Sequence, residues 1–166
     1  AERRQLVSES VGYAEEDLLP VQILLVDLVD RSDGSRAAAV VLRTDDERIV
    51  VISIGEAEGA ALARYLEGGE LPRPMTHDLF SACLEAVEGT VCAVVVHELS
   101  DTTFLAHVVT THGDRKRYVD ARPSDCLNLA VRQQAPIFVT PALMEETGRP
   151  LSDLPDQLQR MTTVIH

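Results

Sequence analysis

The chain has 166 residues, 45% apolar but only 4% aromatic, and a formal net charge of −12; of its fifteen basic residues only Lys116 is a lysine. That length supports one buried core but not two well-stabilised domains, and the scarcity of aromatics means the core is filled by Val, Leu, Ile and Ala. The charge argues against a broad basic surface that grips nucleic acid through many phosphates, but it leaves room for an acidic site that meets phosphate through a cation.

Residues 1–18 read as a polar N-terminal extension, with acids where a secretory leader needs an apolar segment, so a cytoplasmic protein is expected. The apolar run at 18–29 is interrupted by Pro20, Gln22 and Asp27 and falls short of the roughly 20 residues that cross a bilayer, so no membrane partner is expected. Residues 21–29, 37–42 and 49–54 are predicted strands with short turns between them, an antiparallel meander. An Ala/Leu-rich helix follows at 56–67, stopped by Gly68 and Gly69. A second helix is predicted to be N-capped by Thr76, with Leu79, Phe80, Cys83, Leu84 and Val87 as its inward stripe. Residues 91–96, 104–111 and 117–119 make a second meander, whose first strand is apolar on both faces and so central. Pro123 opens a third helix with Cys126, Leu127, Ala130 and Val131 inward, and 137–139 is a buried strand.

The order of elements predicts an α+β fold: two antiparallel three-stranded meanders with helices packed on the sheet, in a single compact domain spanning 19–140. Residues 141–166 form a helical tail, with turns expected at 143–146 and 154–161. Three cysteines without a CxxC pair, and five histidines without HxxxH or HxH spacing, point to buried free thiols and away from a disulfide framework or structural zinc. In the central hairpin a two-residue loop at Asp101-Thr102 pairs His97 with Ala106 and separates His97 from His107. A three-residue loop would pair the histidines directly, and the two-residue loop is favoured.

Two segments share a local grammar. Arg73-Pro74-Met75-Thr76-His77-Asp78 and Arg122-Pro123-Ser124-Asp125 each place Arg-Pro before a helix, then a hydroxyl, then an aspartate in the first turn. Unpaired amides and partial positive charge make a helix start a potential anion site, to which each arginine adds. The plainer reading is that the hydroxyls and acids cap the helices while the arginines pair with the aspartates. Their common pattern predicts that the two helix starts lie side by side.

PRPMTHDL, DARPSDCLNLAVR and APIFV, with IGEAEGAALARYL upstream, resemble the bifunctional nuclease domain family over residues 21–140. The resemblance implies a cytoplasmic α+β domain whose plant and bacterial relatives degrade both RNA and DNA. Ser53 stands where a bulky aromatic is usual, Gly59 where alanine is usual, and Cys126 and Asn128 where small residues are usual; the tail does not look like the UVR-type segment of many relatives.

Phosphodiester hydrolysis needs an activated water and charge relief on the phosphoryl oxygens. By that chemistry His77 is the candidate base and, with Asp78 and Asp125, the candidate catalytic set. Arg73, Thr76, Arg122 and Ser124 are candidate substrate contacts, Asp78, Asp120 and Asp125 candidate ligands for magnesium or manganese, and Glu58 a weaker candidate. No organic cofactor is expected. The expected activity is divalent-metal-assisted hydrolysis of RNA and DNA with low sequence preference. The alternative is a non-catalytic module binding an anionic ligand or a protein partner through the same helix starts. A homodimer is the expected assembly, from exposed strand edges and an apolar surplus. Arg122 either pairs with a buried carboxylate such as Asp78 or waits for phosphate.

Overall fold

The structure, a computed structural model, describes residues 6–30, 32–69, 71–155 and 158. In chain order the elements are β1 (Val7–Ser8), a 3-10 turn (Glu15–Asp17), β2 (Leu19–Asp30), β3 (Arg36–Arg43), β4 (Arg48–Gly55), α1 (Glu56–Leu66) and α2 (Thr76–Ala86). There follow β5 (Thr90–Ser100), β6 (Thr103–His112), β7 (Arg115–Ala121), α3 (Pro123–Gln133), β8 (Ile137–Val139), α4 (Pro141–Thr147) and β9 (Arg149–Pro150). Both expected meanders are present, β2-β3-β4 and β5-β6-β7, each antiparallel throughout. They merge into one sheet because β8 lies between them, antiparallel to β2 and parallel to β5. Among the described residues the sheet order is β1-β7-β6-β5-β8-β2-β3-β4-β9, an α+β domain built on a mixed sheet.

The main core lies where α1, α3 and α4 pack on one face of this sheet, with Val40, Leu42, Val50, Ile52, Val94 and Val96 beneath Leu62, Leu127 and Leu143. At about 25 cal/mol per Å² of apolar area, this aliphatic layer is the main stabilising term. The opposite face is covered by the chain ends. Val11, Tyr13 and Leu18 pack on Val95, Val109 and Tyr118, while Leu151, Leu154 and Leu158 cover Leu25, Val41 and Ile49. The 143–146 turn expected from sequence is α4; most of the stretch expected at 154–161 lies outside the described residues. No described helix is long and apolar enough to cross a membrane.

α2 departs most from expectation. Its stripe Leu79, Phe80, Cys83 and Val87 faces outward, with Leu79 57% and Val87 65% exposed, and the helix buries Ser81 instead. The periodicity identified a helix correctly. It could not say which neighbour the helix meets, and α2 packs chiefly on α3 rather than lying flat on the sheet. Thr76 is its first helical residue rather than its cap: Met75 is the cap residue, and the Asp78 carboxylate reaches back to accept from the Met75 amide at 2.7 Å. Of the three thiols only Cys126 is buried; Cys83 is exposed and Cys92 partly so.

The central hairpin corrects a second expectation. The loop is two residues long, with Ser100 opposite Thr103, but a bulge makes His97 the extra residue, so Val96, not His97, pairs with Ala106. A bulge reorients the side chain it carries, and the His97 ring stacks on His107 with centroids 4.3 Å apart. The separation of the two histidines expected from a regular ladder is therefore wrong. Tyr13 closes over the pair, its hydroxyl 3.3 Å from His107 Nδ1, and Tyr118 meets His107 edge-on.

Burial pulls the His97 pKa down to about 4, with help from His107 and against Asp120, and burial lowers His107 too. Between about pH 4 and 6.5 the unfolded chain therefore binds more protons than the folded one. The histidine contribution is whole above about 6.5 and falls as the pH drops toward 4, on the order of 2 kcal/mol once partial solvent access is allowed for. Urea denaturation at stepped pH should show that slope, and His97→Phe should flatten it. An unchanged slope in the variant would rule the pair out as its source.

Candidate active site

The two helix starts meet. β7 runs directly into α3, where Pro123 occupies the first turn and Asp125 the position a first-turn acid favours. From α2, His77 places Nε2 3.1 Å from Asp125 Oδ1, and its side chain is only 13% exposed. Arg122 grips the same carboxylate with two bonds, Nε to Oδ2 at 2.8 Å and a terminal nitrogen to Oδ1 at 3.0 Å. Its other terminal nitrogen donates to Glu58 of α1 at 2.9 Å. Burial pushes the Asp125 carboxyl up, but the Arg122 and His77 hydrogen bonds outweigh it and leave its pKa lowered. Asp125 is thus an anion throughout the neutral range.

Asp78, next to His77 in sequence, serves a different side. Its second oxygen accepts from Arg132, whose side chain is 6% exposed, while Arg132 also donates to the Asn128 carbonyl and amide oxygen and stacks on Tyr65 at 4.6 Å. Burial raises the Asp78 pKa, the Met75 amide and Arg132 lower it, and the net effect is lowering. Arg73 borders this side together with Asp78. The expectation that Arg122 pairs with Asp78 is therefore corrected: Arg132 takes that place, and Arg122 has Asp125 and Glu58.

His77, Thr76, Arg122, Asp125 and Asp120 line one end of a cleft of about 700 Å³, whose walls are Phe80, Leu84, Phe104, Leu105 and Leu129. Ser124 is buried and is not among the residues that line it. Asp120 is the register partner of His107, and its charge bears on His97 and His107. The three aspartates expected to hold magnesium or manganese do not converge: Asp78 is committed to Arg132 and Asp125 to Arg122 and His77. Among the described residues no group of three or more His, Cys, Asp or Glu is placed to hold a metal ion.

Asn128 and Arg132 were missed as candidates. Asn128 is fully buried and donates to the Glu58 and Ser124 carbonyls, tying α3 to α1. The signal was present, since Asp125, Asn128 and Arg132 recur at the three- and four-residue spacing of one helical face.

The fold is thus a small α+β domain that brings a His and an Asp together at two facing helix starts. The bifunctional nuclease domain matches residues 40–152, and the chain belongs to that family. It is 36% identical over 111 residues to "Uncharacterized protein Rv1829" and to "Uncharacterized protein MT1877", both of Mycobacterium tuberculosis. The match covers 67% of this chain and 66% of each relative, a little under two thirds of their length.

Proposed function

We propose that the protein hydrolyses phosphodiester bonds in RNA and DNA with low sequence preference, using His77 as general base. The observation that carries this reading is the His77–Asp125 pair at the polar end of the cleft. An ionised Asp125 favours the tautomer in which Nε2 carries the proton, which leaves the Nδ1 lone pair to take a proton from water. The water oxygen then bonds to phosphorus as the bond to the leaving ester oxygen breaks, and that oxygen leaves as an alcohol with a proton taken from solvent. Arg122, held by Asp125 and Glu58 with its side chain 65% exposed, supplies positive charge for the phosphoryl oxygens. The apolar walls limit the water that reaches the reacting centre.

The divalent-metal assistance expected for such an enzyme enters no step here, because Asp78 and Asp125 are committed to arginines; it is checked in the same assay by adding Mg²⁺, Mn²⁺ or a chelator. Labelled single-stranded RNA and DNA should be cleaved by the purified protein. His77→Ala and Asp125→Asn should each lower the rate about 100-fold or more, the scale of a lost general base. Arg122→Ala should lose activity while costing no more than about 1 kcal/mol of stability, since its ion pairs are exposed on the arginine side. One observation favours a second reading, a non-catalytic binding module: three Arg122 nitrogens are already bound to acids in a chain of net charge −12. Intact nucleic acid after prolonged incubation under every metal condition would favour that module and sink the hydrolase.

A further inference from the structure

On the other side of the α2 start lies a second, smaller cavity of about 290 Å³ between α1 and the residues Gly69, Leu71 and Arg73 to Met75, bordered by Arg64, Arg73, Arg132 and Asp78. Three arginines and one aspartate thus border it, in a chain that is strongly acidic overall. Arg132 is neutralised by Asp78. Among the described residues Arg64 and Arg73 have no ion pair, and both are exposed. Arg73 is flanked by Pro72 and Pro74, which restrict the backbone beside it, and the loop is tied to α1 by the Gly69 amide donating to the Arg64 carbonyl at 2.9 Å. Small residues on α1, Ala57, Ala60 and Ala61, leave room between the two arginines. Planar forks of this kind bind phosphate oxygens two at a time.

We propose that this cavity is a binding site for a phosphate ester, separate from the His77–Asp125 cleft and independent of whether that cleft hydrolyses anything. The volume exceeds that of a lone phosphate and suits a nucleotide unit. The phosphate belongs either to a free nucleotide or to a nucleic-acid strand, and the two sources are told apart by the ligand that binds.

Isothermal titration of the full chain with AMP and with hexathymidylate, at about 150 mM salt, tests the site. At least one should bind, with affinity lowered tenfold or more by Arg73→Ala and by Arg64→Ala. Arg73→Lys, which keeps the charge but loses the fork, should fall between. Binding of AMP assigns the site to a free nucleotide; binding of the hexamer alone assigns it to a strand. Since both arginines are exposed and have no ion pair among the described residues, their alanine variants should melt with the parent, so lost binding cannot be put down to unfolding. No binding of either ligand at millimolar concentration, or binding that Arg64→Ala and Arg73→Ala leave unchanged, would overturn the proposal.

Discussion

Replacing Arg132 by alanine is expected to destabilise the protein by about 3 kcal/mol or more. The side chain is 6% exposed and ties three elements together: it donates to Asp78 at the start of α2, to Asn128 within α3, and lies over Tyr65 of α1. Truncation leaves the Asp78 carboxylate without its cation and Asn128 without a donor for its amide oxygen, on top of the lost packing of the stem. Urea denaturation should show a lower midpoint with an unchanged slope. The double variant Arg132→Met/Asp78→Asn, which removes both charges and keeps an oxygen to accept from the Met75 amide, should recover part of the loss. A loss under 1 kcal/mol for the single variant would mean that the pair is solvated like a surface ion pair and does not hold the helices together.

Gly59→Ala should cost about 2 kcal/mol even though alanine is the better helix former. A Cβ built at Gly59 would lie 2.1 Å from the Ala38 Cβ of β3, so α1 can approach the sheet this closely only without a side chain there. Ala38 is fully buried and on β3 of the rigid sheet, and neither side can yield without moving backbone. The gain of about 1 kcal/mol in helix propensity offsets part of the clash. Ala38→Gly together with Gly59→Ala moves the methyl group from strand to helix and should restore most of the stability. A melting temperature for Gly59→Ala at or above the parent's would refute the close-contact account. The departure from the family's usual alanine at this position is thus matched to Ala38.

The strands were legible because the apolar Ala/Val runs in β3 and β5 have no use other than burial on both faces, and the turns at Asp33-Gly34 and Gly113-Asp114 punctuate them. The adjacency of the two helix starts was legible too, through the repeated Arg-Pro, hydroxyl, Asp pattern. Its wiring was not. Arg73 and Arg122 look equivalent in sequence, but one borders a cavity with no ion partner among the described residues and the other holds Asp125, because ion pairing depends on direction in space and not on spacing along the chain. The outward stripe of α2 was misread for a related reason: apolar periodicity marks a face but does not name what covers it. The His97 bulge carries no local signature, since an extra residue in a ladder changes pairing without changing composition.

The three residues of β8 have a consequence for how the chain folds. Each meander closes through short turns between neighbours in sequence, but β8 touches β2 through Leu19 opposite Val139, near the two ends of the described chain. The entropy of closing that long loop is recovered only when β8 slots in beside both β2 and β5. This narrow seam, unlike either meander, is made of contacts far apart in sequence, and side-chain losses at Ile137 or Val139 bear on the step that forms it.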